Sequence, residues 1–169
     1  MSFKTIPGER LRGFATYVSG DYSIAFVHDE ADADAVGLGR ASLDSALEFG
    51  TLTLTARMSD GRVAFPEGYH PKVSWVDGTV SVPGAVSGAL YWTPAEDLVQ
   101  GGALGLAEVS EVATTFEPST GWVALRLVAD DMIPDRRLET LEFCDGVIAG
   151  LDRSRLVALW IRLRDLSQD

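Results

Sequence analysis

The sequence predicts an α+β fold dominated by strand: an antiparallel sheet built from hairpins, a sandwich or an open barrel, with a few short helices. Three observations carry that expectation. Runs rich in β-branched and aromatic residues recur along the chain, turn-forming dipeptides separate them, and one stretch, residues 29–48, is instead rich in Ala, Asp and Leu.

At the amino end, Leu11–Val18 and Tyr22–His28 flank Ser19-Gly20-Asp21, which predicts a first hairpin. Between Asp29 and Glu48 β-branched runs are absent, and one or two short helices are expected, broken at Gly37 and Gly39. Leu52–Met58 alternates Thr and Leu before Ser59-Asp60-Gly61, and Val63–Phe65 follows as the return strand. Lys72–Val82 is centred on Asp77-Gly78, a dipeptide that supplies the positive φ angles of a two-residue hairpin turn. Glu108–Phe116 enters Glu117-Pro118-Ser119-Thr120-Gly121 and leaves as the strand Trp122–Val128, with proline placed to begin a turn.

The carboxyl end fits two templates. Leu138, Leu141, Cys144, Ile148 and Leu151 repeat at three- and four-residue spacing, as one helix face does, although Asp145-Gly146 in their midst is a hairpin signal. Residues 155–165 and the adjoining Leu166 place Leu156, Leu159, Leu163 and Leu166 on a helical face with Asp152 as cap, or Val157, Leu159, Ile161 and Leu163 on one strand face. The reading favours C-terminal helices; an all-β sandwich or barrel is the alternative. Seven prolines are scattered and no window is a low-complexity linker, so one globular domain over residues 1–169 is expected.

The formal net charge is −11. That sign repels phosphate backbones and anionic headgroups, so neither nucleic acid nor a membrane surface is an expected partner. Residues 29–48 carry six acidic residues against one basic, and residues 94–131 carry seven against one, so these two segments account for the whole excess. Should they share a side of the fold, they would present an acidic field to a protein partner with a basic surface. The opening residues lack the apolar core of a secretory signal, and no window holds the ~18 uninterrupted apolar residues of a membrane helix. The single cysteine, Cys144, excludes an internal disulfide and fits a cytoplasmic protein.

Candidate sites are few. His28 and Glu30 would share a strand face, and His70 is the only other histidine, so His-x-Glu with a distant His could bind one divalent metal ion. At those three positions the pattern resembles the ligand set of non-haem iron oxygenases built on β-barrels, which would imply a mononuclear metalloenzyme. Asp32 and Asp34 lie in an acidic run that suits a helix start better than a calcium loop, because Ala35 stands where such a loop needs glycine. Tyr91 and Trp92, ahead of Pro94 and the acidic Glu96 and Asp97, could rim a pocket. The glycine pairs Gly37-x-Gly39 and Gly101-Gly102 do not open a strand–turn–helix unit, and no phosphate-loop, esterase or zinc-protease motif occurs. The expected function is therefore non-catalytic and needs no cofactor. An acidic surface, including Asp32, Asp34, Glu96 and Asp97, would bind a macromolecular partner as adaptors, inhibitors and immunity proteins do. A small-molecule-binding β-barrel, or the His28–Glu30–His70 metalloenzyme, is the alternative.

Overall fold

The computed structural model describes residues 2–164. Strand takes 52% of the chain against 15% for helices of all kinds, so the β-rich expectation holds and the helical part is small. In chain order the strands are β1 (Ser2–Pro7), β2 (Phe14–Val18), β3 (Ser23–Val27), β4 (Ser45–Phe49), β5 (Leu52–Ala56), β6 (Arg62–Tyr69) and β7 (Val76–Asp77). They continue as β8 (Val86–Thr93), β9 (Ala103–Ala107), β10 (Val112–Glu117), β11 (Trp122–Leu127), β12 (Glu139–Cys144), β13 (Val147–Asp152) and β14 (Arg155–Arg164). The one α-helix, α1 (Glu30–Ala35), is a turn and a half long and starts on Asp29, whose carboxylate accepts from the amides of Ala31 and Asp32.

Three of the expected hairpins form: β2–β3 around residues 19–22, β5–β6, and β10–β11 around Pro118 to Gly121. Between β5 and β6 the chain turns at Gly61, which sits at φ +78° with its backbone close against the Trp92 carbonyl, two features that both favour glycine. The sheet as a whole is mixed rather than antiparallel, because β4–β9, β7–β10, β8–β12 and β14–β2 pair in parallel. Its pairings run β8–β12–β13–β14–β2–β3–β6 and return from β6 to β8, a closed circuit of seven strands. From this circuit β5, β4 and β9 extend off β6, β11, β10 and β7 extend off β14, and β1 lies along β8.

Three expectations are corrected. Residues 138–164 form no helix: they are the β12–β13–β14 meander, and Leu166 of the expected helical face lies outside the described residues. Val147–Leu151 and Leu156–Ile161 are buried on both faces, and a strand covered on both sides has the continuous apolar content that sequence spacing cannot separate from helix. Asp145-Gly146 makes the first turn, with Gly146 at φ +70°. Asp152 caps nothing; it pairs with Arg155 across a turn in which Arg153 and Ser154 both take positive φ, +50° and +67°, without the glycine or asparagine that would have signalled it.

Asp77-Gly78 makes no hairpin either. Pro71 and a 3-10 turn over Lys72–Ser74 precede it, Val76–Asp77 pairs in parallel with Thr115–Phe116, and the chain then runs irregularly to β8. The stretch expected to be helical, residues 29–48, yields α1, a 3-10 turn over Arg40–Ser42, and then strand β4. Among the described residues no helix is long and apolar enough to cross a membrane.

The interior is a contiguous apolar cluster whose largest wholly buried members include Phe49, Phe143, Leu11, Leu54, Leu90 and Leu159. The segment before β2 is tied across it: Leu11 donates to the Phe143 carbonyl and accepts from Asp145, while the Asp145 carboxylate takes Arg10 Nε at 2.6 Å and the Gly13 amide at 3.1 Å. Gly61 tests how tightly this scaffold is closed. A Cβ there would stand 2.1 Å from the Trp92 carbonyl oxygen, in a backbone conformation that alanine resists. Gly61→Ala should therefore cost about 2–4 kcal/mol in urea unfolding; a midpoint unchanged from the parent protein would show that this approach is not closely fixed.

Candidate binding site

Three aromatic rings from separate elements converge on one end of the sheet. Tyr17 comes from β2, Phe116 from β10, and Trp75 from the residue that ends the 3-10 turn after β6. Trp75 is the middle wall: its ring meets Tyr17 at 5.3 Å and 71° and Phe116 at 5.5 Å and 65°, both edge-on. All three are half-buried, so each packs on the core by one side and leaves the other open. Pro71 fixes the entry to the turn, which folds Lys72 back over the rings. The Lys72 ammonium stands 4.5 Å from the Tyr17 centroid, 5.3 Å from Phe116 and 5.7 Å from Trp75, within cation–π range of all three. The Lys72 amide also donates to the Tyr17 hydroxyl at 3.2 Å.

His70 lies under this group, its ring tilted at 37° to that of Trp75 with the centroids 5.3 Å apart. Its imidazole is 5% exposed and held at both nitrogens, Nδ1 2.5 Å from the Thr51 hydroxyl and Nε2 3.1 Å from the Thr114 hydroxyl. Hydroxyls give and accept, so a neutral ring satisfies both contacts, and burial lowers its pKa to about 4. The floor of the site is thus polar but uncharged at neutral pH.

Acidic groups gather beside it. The parallel pairing of β4 with β9 brings Glu48, from the first acidic segment, next to the start of the second. Glu48, Glu108 and Glu111 line an open cleft of about 880 Å³ floored by Gly50, Gly105 and Ala107. Glu108 and Glu111 each accept the other's backbone amide, which fixes the rim. Val112 packs at Gly50, and β10 then passes Thr114 at the imidazole and Phe116 at the rings, so cleft and rings lie roughly 13 Å apart along one strand.

The residues singled out from sequence are dispersed. Glu30 reaches His28 at 3.5 Å, but the His28 ring is enclosed between Phe26 and Phe65. His70 is elsewhere: its amide bonds the Tyr22 carbonyl, and Tyr22 is separated from His28 by the length of β3, roughly 20 Å of extended chain. Among the described residues no three His, Cys, Asp or Glu side chains are placed to hold an ion. Trp92 is 5% exposed and packs edge-on against Phe3 at 5.1 Å, with Tyr91 half-buried beside it. Asp32 lines a cleft of about 390 Å³ together with Arg10, Arg12 and Asp145. Asp34 packs at Gly39, while Glu96 and Asp97 lie in a separate 3-10 turn.

Several other acids serve the scaffold. Asp130 grips Arg155 through two hydrogen bonds and Asp60 grips Arg57, and each arginine holds its carboxyl below the usual range. Cys144 is wholly buried, which pushes its thiol up and disfavours the thiolate. Tyr17, Lys72 and Phe116 had no local signal in the sequence; the one hint was Pro71-Lys72 placed a turn ahead of Trp75.

The His70 geometry has a pH signature. Above pH 6.5 the imidazole is neutral in folded and unfolded chains alike, so it adds no pH dependence. Between about 6.5 and 4 only the unfolded chain takes the proton, and stability falls as pH drops, by about 3 kcal/mol across the window. His70→Gln should flatten that part of the urea-stability profile relative to the parent, while the loss from Asp60 and Asp130 at lower pH persists in both. Parallel profiles for the two proteins would contradict the buried neutral imidazole. No model of a known protein family matches this chain and no curated protein matches it, so its function is argued from geometry.

Proposed function

We propose that this chain is a non-catalytic, cytoplasmic binding protein, a single domain that captures a macromolecular partner with a basic surface. The observation that carries the reading is the β4–β9 pairing, which joins the two acidic segments at one edge, where Glu48, Glu108 and Glu111 line an open cleft. Carboxylates exposed in this way, in a chain of net charge −11, steer a basic partner and discriminate against acidic ones.

Two further features support it. Exposed apolar residues near the aromatic rings, Val73 at 93%, Val76 at 67% and Tyr69 at 58%, offer contact area of the kind interfaces use. Both histidines and the cysteine, the chain's readiest bases and nucleophile, are packed inside rather than aimed into a cleft.

A lysine-rich peptide should bind at about 50 mM salt and weaken steeply toward about 300 mM, as screening shortens the reach of exposed charges. The double variant Glu48→Gln, Glu108→Gln should lose about three- to tenfold in affinity by calorimetry. No binding at the lower salt, or binding indifferent to both salt and the two substitutions, would overturn the reading.

A further inference from the structure

We propose that the Tyr17–Trp75–Phe116 cage is a receptor for a methylated lysine side chain on a partner protein, and that Lys72 is the internal group standing in for it. This rests on the binding-protein reading and names the chemistry that one part of its surface selects.

The cage is built without Lys72. Tyr17 is held within the β2–β3 ladder opposite Ile24, and Phe116 lies opposite Val123 of β11 and Asp77 of β7. Trp75 rests on His70, which Thr51 and Thr114 fix from two other segments. Three walls at 71° and 65° to one another therefore persist if the lysine swings out. Such a preformed pocket loses little freedom when an outside group enters it.

Lys72 is held loosely. Its residue is exposed, and among the described residues no carboxylate lies within 4 Å of its ammonium. Ring faces are what hold it, an interaction that is weak at exposed sites. The rings also choose among cations. They offer the ammonium no acceptor to replace the water its three N–H groups bind, whereas a trimethylammonium has no N–H to satisfy and sheds water more readily. The same cage that holds a bare lysine weakly will therefore hold a methylated one better.

The surroundings point to a group carried on a chain rather than to a small free ion. Val73 and Val76 flank the cage on its own loop, and Tyr69 and Tyr22 lie beside it where the His70 amide bonds the Tyr22 carbonyl; all four side chains are exposed and apolar in large part. Asp77, an exposed residue, is the backbone partner of Phe116 in the β7–β10 pairing. These are contacts that residues neighbouring a methylated lysine can make and a lone ammonium ion cannot.

The test uses the whole protein and a glycine-serine peptide carrying one trimethyllysine, read by calorimetry and by tryptophan fluorescence. Lys72→Ala should bind this peptide at least tenfold tighter than the parent does, and at least tenfold tighter than it binds the unmodified-lysine peptide. Adding Phe116→Leu, which keeps apolar bulk and removes a ring face, should abolish most of that gain. A peptide bearing the neutral carbon isostere of trimethyllysine that binds equally well would overturn the cation selectivity. Tetramethylammonium chloride binding as tightly as the peptide would overturn the assignment to a chain-borne group, and no binding by Lys72→Ala would overturn the site. Each of those failures leaves salt-dependent binding of the lysine-rich peptide untouched, so it is distinguishable from failure of the acidic-cleft reading.

Discussion

β14 is hydrogen-bonded to three strands, and the rest of the structure hangs from it. Along its length it pairs with β13 from Val147 to Asp152, with β11 from Trp122 to Arg126, and at its last two residues with β2. Over most of its length that leaves no free edge, and Leu156–Ile161 are also buried on both faces by the apolar cluster packed around them. The circuit closes through its thinnest joints. Four joints are two residues wide, β3–β6 and β6–β8 antiparallel and β14–β2 and β8–β12 parallel. Side chains reinforce the parallel pair, Thr16 donating to the Arg164 carbonyl and Thr140 to that of Gly84. Hairpins such as β12–β13 form from neighbouring sequence, whereas the two parallel joints bring together residues more than fifty positions apart, so they carry most of the loop-closure cost.

The candidate site is a consequence of that branching. One branch from β14 runs through β2 and β3 to β6, the other through β11 to β10 and β7. The chain leaving β6 crosses from the first branch to the second, and Trp75 lies on that crossing, between Tyr17 of one branch and Phe116 of the other. His70, at the start of the crossing, is tied to β10 through Thr114 and to the β4–β5 turn through Thr51. Cage geometry therefore reports whether the two branches have docked, and the neutral imidazole is part of what docks them.

How much of this was legible follows from where the information sits. Gly61, Pro118-Ser119-Thr120-Gly121 and Ser19-Gly20-Asp21 are local turn chemistry, and the three hairpins they mark are present. Asp77-Gly78 is the same kind of signal and failed, because Val76 and Asp77 are taken by β10, a partner nearly forty residues on. The C-terminal meander was misread for a different reason: its strands are apolar on both faces, and the turn at Arg153-Ser154 takes positive φ at two residues that do not favour it. The cage was invisible because its members come from three segments that only the circuit unites, and Trp75 alone reads as an ordinary core aromatic.

The division of labour between carboxylates and rings follows from their physics. Exposed carboxylates act over about 8 Å at physiological ionic strength and mainly raise the rate at which a basic partner arrives. They distinguish poorly among lysine, arginine and a methylated amine, since all carry the same charge. Ring faces act only at contact and depend on how much water the cation must shed, so they discriminate where charge cannot. A surface with Glu48, Glu108 and Glu111 at one point of β10's course and Tyr17, Trp75 and Phe116 at the other combines the two. Lys72 lies over the three rings, and under the proposal above an incoming cation has to displace it. Capture by such a surface is governed by charge on the way in and by desolvation once the partner is in place.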